Sequence, residues 1–259
     1  MNKKLFFGAE ITAPWPNTLP QGRLIEEHSR HLTLAFLGNV SYEAHNIPLP
    51  EFKVGLIGVG DHLLFLPEKH PRVVAYHIRW PLQEPLLLSF QSRLVSQLQQ
   101  AGHTLSTQSF LSHVTIAREP FVREDWKQTE WNLPFLLKAI HLYESVGNLT
   151  YLPLWSHPLA LPFEEQEHTA DIAFLIRAET IEQLHLNAQA ALAFKHPLLM
   201  PYLEFDRLQN SLDDLIIQLN RSIARADAAI GCPFKAVSFH GNILRDASNI
   251  LHWEMIVDV

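Results

Sequence analysis

The sequence predicts an α+β protein with mostly antiparallel sheets, organised as two domains. Short apolar runs ended by turn residues are typical of buried strands, and they outnumber the segments with helical spacing. The chain has 259 residues, which exceeds the usual single-domain length of about 100–200 residues. A Pro-rich, uncharged stretch over residues 152–162 is the expected linker between domains 1–156 and 163–259.

The first domain is predicted to be mainly strands with one long helix. Apolar residues between Leu87 and Leu98 recur at helical spacing, and Gly102 follows them as a typical helix stop. The helix is expected at 84–101, and strands are expected at 3–11, 31–37, 52–59, 72–80, 112–118, 134–144 and 149–152.

The second domain is predicted to combine strands with two capped helices. Thr180 and Ser211 are typical first residues of a helix, because Gln183 and Asp214 follow three residues later. The helices are expected at 180–194 and 211–226, and the strands at 163–178, 234–240 and 251–258.

Charge and composition argue against several classes of protein. Residues 1–160 carry 13 Lys and Arg against 13 Asp and Glu, whereas residues 161–259 carry 7 against 14. This distribution gives little sign of the basic face of a duplex-coating protein. Cys232 is the single cysteine, which excludes an intramolecular disulfide and suits a reducing compartment. Because no signal peptide or membrane span is evident, we expect a cytoplasmic protein without a membrane partner.

One short pattern occurs twice. The pentad HLTLA at 31–35 returns 82 residues later as HVTIA at 113–117. In a strand, residues i and i+2 share a face, so the histidine and the threonine of each copy point the same way. Imidazole can act as an acid or a base near neutral pH. A single copy is more often a core histidine, but two copies facing one cleft would suit a small anionic substrate.

These pentads resemble the paired motifs of the two-histidine (2H) phosphoesterases, in the branch of RNA 2′,3′-cyclic phosphodiesterases and 2′-5′ RNA ligases. Lys4–Glu10 is similar to the family's first strand, and Ile140–Ser145 with Tyr151–Trp155 is similar to its closing strands. The resemblance covers about residues 1–156. It implies a two-lobed 2H phosphoesterase domain with antiparallel sheets flanking a cleft.

The resemblance also implies the roles of the site residues. His31 and His113 would be the catalytic acid and base for opening a 2′,3′-cyclic phosphate, in an order that the sequence leaves open. Thr33 and Thr115 would donate hydrogen bonds to the phosphate, and Arg118 would add a charge-assisted contact. No metal is expected at this site. The expected substrates are RNA ends or tRNA fragments carrying the cyclic phosphate.

The second domain resembles archease, the small protein that assists the tRNA-splicing RNA ligase. Phe163–Ile172 is similar to its start, and Phe234–Gly241 and Trp253–Val259 are similar to its end. The resemblance implies a small archease-like α+β domain in which Asp171 and Asp258 help to hold a divalent cation. Two close carboxylates repel each other, and bound Ca²⁺ or Mg²⁺ would relieve this repulsion.

Two classes of function are therefore compatible with the sequence. The first is an RNA end-processing enzyme that hydrolyses cyclic phosphates or reversibly joins 2′-5′ ends, fused to an archease-like module for tRNA ligation. The second is a non-catalytic accessory protein that binds RNA termini and activates a separate RNA-splicing ligase. Both His-x-Thr copies are intact, which favours the enzyme.

Overall fold

The structure is a computed structural model in which the chain forms two compact units, each containing an antiparallel sheet. Helices and strands are combined in both units, as the α+β prediction requires. No helix within the described residues is long and apolar enough to cross a membrane. The structure describes residues 2–41, 48–105, 109–129, 132–238 and 241–259.

One short segment from the first half of the chain is part of the second unit. The segment Lys53–Ile57, which includes the start of the strand Leu56–Leu66, belongs to the second unit, where the backbone N–H of Gly55 donates to the carbonyl of Ala160 (2.8 Å). Sequence periodicity could not predict this non-local pairing. The first unit comprises Met1–Phe52 and Gly58–Leu159, and the second comprises Lys53–Ile57 and Ala160–Val259.

The first unit is mainly strands, with one long helix and one short one. Most strands lie where alternation or short apolar runs predict them. Its strands are β1 (Lys3–Thr12), β2 (Arg23–Leu24), β3 (His31–Val40), β4 (Leu56–Leu66), β5 (Val73–Arg79), β6 (His113–Arg118), β7 (Pro134–Gly147) and β8 (Thr150–Pro158), and its helices are α1 (Glu84–Gln100), α2 (Arg123–Lys127) and a 3₁₀ turn at Glu27–Ser29.

The sheet of the first unit brings the two pentads onto neighbouring strands. Its order is β1-β3-β6-β5-β4-β7-β8, β2 pairs with β6, and β1 also pairs with β7, so the path of paired strands returns to β1. Helix α1 buries Leu87, Phe90 and Leu94 on one face. The Gln91 side chain donates to the carbonyl of Leu34 (3.1 Å), which ties the helix to β3.

The predicted Pro-rich linker at 152–162 was wrong over its first part, because residues up to Pro158 belong to β8. Pro153 pairs with Tyr143 and Pro158 with Ala139 in the β7–β8 ladder. Strand β8 is the last in the sheet order, and an edge strand tolerates proline because one side of it makes no ladder hydrogen bonds. Proline density therefore marked a sheet edge rather than a linker.

Strand β4 begins later and runs further than the predicted strand at 52–59. Gly58 and Gly60 interrupt the apolar pattern, which made the run look shorter than it is. A Cβ atom at Gly60 would lie 2.6 Å from Cε2 of Phe135, so glycine allows this close approach within the sheet.

The second unit packs two helices against a smaller, five-stranded sheet. The side chains of Thr180 and Ser211 cap the two helices, as the sequence predicts. The strand predicted at 163–178 is a hairpin of two strands, and that predicted at 234–240 is observed only at 236–237, with 239–240 outside the described residues. Its elements are β9 (Phe163–Gln166), β10 (Ile172–Ala178), α3 (Ile181–Lys195), a 3₁₀ helix (Pro197–Tyr202), α4 (Leu212–Ile230), β11 (Ala236–Val237), β12 (Leu244–Arg245) and β13 (Leu251–Asp258). The order of the sheet is β11-β13-β10-β9, and β12 pairs with β13.

Candidate active site

The two His-x-Thr segments lie side by side as an antiparallel pair. Leu32 of β3 pairs with Val114 of β6, and both side chains are fully buried. Directly opposite residues share a face of an antiparallel sheet. One step further along the same register, His31 lies opposite Thr115 and Thr33 lies opposite His113. The four predicted side chains therefore form a crossed set on one face of the sheet.

Both strands carry a β-bulge at the same place in the pentad. Thr33 and Ala35 pair with consecutive residues of β1, which leaves Leu34 as an extra residue. Ile116 is the extra residue of β6 for the same reason. Because a bulge inserts one residue, the position after each pentad returns to the face of the histidine. The bulges thus place Phe36 and Arg118 at equivalent positions beside the site.

Each of the two imidazole rings makes an equivalent hydrogen bond to a backbone carbonyl. Nδ1 of His31 lies 2.8 Å from the carbonyl oxygen of Ser29, and Nδ1 of His113 lies 2.8 Å from that of Leu111. A carbonyl can only accept, so Nδ1 carries the hydrogen in both rings. Nε2 is then the nitrogen that can take or give a proton. In both cases the carbonyl belongs to the residue two positions earlier in the chain, so the two rings are oriented in the same way and have the same tautomer.

Burial favours the neutral form of both histidines. It lowers the pKa of His31 to about 4, against a raising effect of the Ser29 carbonyl, and nearby Arg118 and His113 lower it further. Burial also lowers the pKa of His113, the Leu111 carbonyl opposes this, and the charge of His77 adds to the lowering. An anion bound between the rings would favour their protonated forms.

His31 is also packed among aromatic rings that the sequence did not single out. Its ring centroid lies 4.7 Å from that of Phe6, 4.6 Å from that of Tyr151 and 5.5 Å from that of Tyr143. Phe6 and Tyr143 are partners in the β1–β7 ladder. This ladder joins residues far apart in the chain, so no local sequence signal could have predicted the aromatic surroundings.

A cavity of about 380 Å³ opens beside His31 and Thr33. Within the described part of the chain, its lining contains three cationic side chains, Lys4, Arg23 and Arg118, and no carboxylate. Such a lining favours an anionic ligand. His113 and Thr115 are not part of this lining and lie beside it on β6. The residues lining the cavity are Lys4, Phe6, Arg23, His31, Thr33, Phe36, Arg118, Ser145, Gly147, Asn148, Leu149 and Tyr151.

Two of the cations are cross-strand partners. Arg23 of β2 lies directly opposite Arg118 of β6. Like charges in this position destabilise a sheet unless something compensates them. The Nε atom of Arg118 is buried and has no hydrogen-bond partner among the described residues. Both observations point to an anion between the guanidinium groups, and Arg23 has no sequence signal that could have identified it.

The predicted metal ligands of the second unit lie at the end of the β10–β13 ladder. Ile172 and Val257 form its last pair, and Asp171 and Asp258 are the residues next to them in the chain. The Asp258 carboxylate accepts a hydrogen bond from the hydroxyl of Ser238 (3.1 Å). In the part of the chain that the structure describes, no third His, Cys, Asp or Glu completes a metal-binding cluster with them.

Comparisons with known proteins give only distant similarities. The structure of E. coli LigT complexed with 3′-AMP is 23% identical and covers 61% of this chain and 99% of that chain, with a TM-score of 0.47. A structure described as a phosphoesterase is 22% identical over 62% of this chain and 99% of its own, with a TM-score of 0.46. The protein TT0787 of Thermus thermophilus is 18% identical over 61% and 98%, with a TM-score of 0.43. No protein-family model and no curated protein matches this chain.

Proposed function

We propose that the first unit is a phosphodiesterase that opens 2′,3′-cyclic phosphates at the ends of RNA or tRNA fragments, and that the same step with an RNA 5′ hydroxyl in place of water reversibly joins 2′-5′ ends. The crossed pair of His-x-Thr strands is the observation that carries the proposal. Two imidazoles with the same tautomer can remove one proton and deliver another, which is what ring opening requires. The choice of a cyclic phosphate as substrate rests on the family resemblance of the two pentads.

The chemical step follows from the two Nε2 atoms. One neutral imidazole takes a proton from water as the water oxygen forms a bond to phosphorus. The bond between phosphorus and the 3′ oxygen breaks, and the other imidazole, protonated, gives its proton to that oxygen. The product is a 2′-phosphate and a 3′ hydroxyl. His31 and His113 end the step with their protons exchanged, and solvent restores the starting forms.

The side chains around the imidazoles supply the contacts to the phosphate. The hydroxyls of Thr33 and Thr115 can donate to its non-bridging oxygens. The buried Nε atom of Arg118 has no partner in the part of the chain that the structure describes and can add a charge-assisted hydrogen bond, and Arg23 can add a second cation. Negative charge builds on these oxygens in the transition state, so fixed donors favour it over the ground state.

Turnover of a nucleoside 2′,3′-cyclic phosphate by the purified full-length chain tests the proposal. We expect His31→Ala and His113→Ala each to lower kcat by on the order of 10²-fold or more, because each removes one proton-transfer group. His70→Ala is a matched control, since His70 is an exposed histidine of the same unit. Wild-type turnover by the double variant would contradict the mechanism. Binding without turnover by the wild type would instead favour the accessory protein that binds RNA termini.

We propose further that the second unit is an archease-like module in which Asp171 and Asp258 hold Ca²⁺ or Mg²⁺ and which acts with a separate RNA ligase. The positions of Asp171 and Asp258, both next to the last pair of the β10–β13 ladder, support the metal, because an oxygen-only ligand set suits a hard cation. The excess of acidic residues in 161–259 supports a basic partner surface. Calcium-dependent melting curves, described below, test the metal.

A further inference from the structure

A second pair of histidines lies on the sheet that carries the pentads. Strands β4 and β5 pair with His62 directly opposite His77, and the register shifts between Gly60 and His62. Asp61 is therefore the extra residue of a β-bulge. A bulge redirects the side chain of the inserted residue, and this one brings Asp61 to the same side as the two histidines. Three potential metal ligands are thus gathered by local backbone geometry.

The contacts within this cluster are close. Nδ1 of His62 lies 2.7 Å and Nδ1 of His77 lies 2.8 Å from the same oxygen, Oδ1 of Asp61. The two imidazole rings are stacked, with centroids 4.8 Å apart and planes 25° apart. One ligand atom from each residue can be chosen so that all three lie within 4.8 Å of one another. The side chains remain open to solvent, with 54% of His62 exposed.

We propose that Asp61, His62 and His77 form a binding site for a divalent transition-metal ion, with Zn²⁺ as its best fit. Two imidazole nitrogens and one carboxylate oxygen are a ligand set that zinc takes in proteins, with a fourth position left to water or substrate. Ca²⁺ and Mg²⁺ prefer oxygen ligands and would be bound poorly. Tetrahedral zinc bonds of about 2.0–2.2 Å place neighbouring ligand atoms about 3.3–3.6 Å apart, so each nitrogen–oxygen distance must lengthen by roughly 0.5–0.9 Å, which exposed side chains allow.

The cluster lies one strand away from the pentad of β6. His77 pairs directly with His113 across β5 and β6, and directly opposite residues lie on the same face. Binding of the metal by these three side chains does not depend on the proposed function.

Titration of the metal-free full-length chain with Zn²⁺, followed by calorimetry, tests the site. We expect one ion per chain at this cluster in the presence of excess Mg²⁺. His62→Ala should weaken binding by about 100-fold or more, since even indirect support of a ligand is worth about 10–100-fold. His62 is largely exposed, so the variant should fold. Co²⁺ in place of Zn²⁺ should give a visible absorption band that the same variant loses.

His252→Ala provides the matched control. His252 also contacts a carboxylate, Asp246, at 3.0 Å, but no third ligand joins them within the described residues. Zinc binding should be unchanged in this variant and in His31→Ala. Unchanged affinity in His62→Ala would overturn the proposal, as would loss of the site in His31→Ala, which would assign the ion to the catalytic pair. If zinc binds but turnover is absent in the zinc-free wild type, the metal site stands and the proposed function fails.

Discussion

Protonation of His31 is expected to cost the first unit part of its stability. Burial holds the pKa of His31 at about 4, whereas an imidazole in an unfolded chain titrates at about 6.5. Each pKa unit corresponds to about 1.4 kcal/mol, so the difference amounts to about 3 kcal/mol. This is an upper bound, because solvent reaches part of the ring.

The direction of the effect follows from which state binds more protons. Between about pH 4 and pH 6.5 the unfolded chain is protonated at this histidine and the folded chain is not. The free energy of unfolding therefore rises with pH in this window. The free-energy cost of protonating His31 in the folded chain is therefore absent above about pH 6.5, and it grows as the pH falls towards 4.

His31→Asn isolates this contribution from those of other groups. His185 in the second unit also has a pKa lowered to about 4 by burial, but its effect is the same in both proteins. Unfolding in urea between pH 4.5 and 7.5 should give a stability difference between wild type and variant that grows with pH, by up to about 3 kcal/mol. Parallel curves, or an NMR titration of His31 near pH 6.5, would refute the reasoning.

Three further predictions concern other parts of the chain. Arg118→Gln should weaken binding of a 2′-nucleotide about 10-fold or more in calorimetry, because hydrogen bonds to charged groups contribute about 1.5–3 kcal/mol. The same substitution should raise the melting temperature of the ligand-free protein, because it removes the repulsion between Arg118 and Arg23. Millimolar calcium should raise the melting temperature of the second unit's transition in wild type but not in Asp171→Asn; an equal rise in both would remove the metal assignment. Thr180→Ala should lower the free energy of unfolding by about 1 kcal/mol, because the Thr180 hydroxyl accepts the Gln183 N–H at 3.2 Å; an unchanged value would show that the cap contributes nothing.

The features of the fold and of the candidate site that the sequence could predict are those fixed by local rules. Strand alternation places each histidine with its threonine, and the capping residues Thr180 and Ser211 mark where two helices begin. These features depend on neighbours within a few residues. The hydrogen bond from each imidazole to the carbonyl two residues upstream is also local, but only the structure shows it.

The features that the sequence could not predict depend on pairing between distant segments. Arg23 reaches the site only because a two-residue strand pairs with β6. The bulge at Asp61 is set by the register of β4 against β5, and apolar periodicity does not encode an inserted residue. The prolines of β8 were misread because their tolerance depends on an edge position, which is a property of the whole sheet.

Local sequence determines the tautomer of the two imidazoles, whereas contacts with distant strands determine their pKa values. The repeated pentad makes His31 and His113 equivalent in tautomer, and an unperturbed value of about 6.5 would place both pKa values near neutrality. Their surroundings come from different strands: aromatic side chains of β1, β7 and β8 pack on His31, whereas His77 lies beside His113. Both pKa values are lowered by burial, so the protonated imidazole that the proposed mechanism needs should form mainly when an anion is bound. Binding of the substrate phosphate would then raise the pKa of one imidazole and so produce the general acid. If so, the protein should take up a proton when it binds a 2′-nucleotide. Calorimetry in buffers of different ionisation enthalpy measures this uptake.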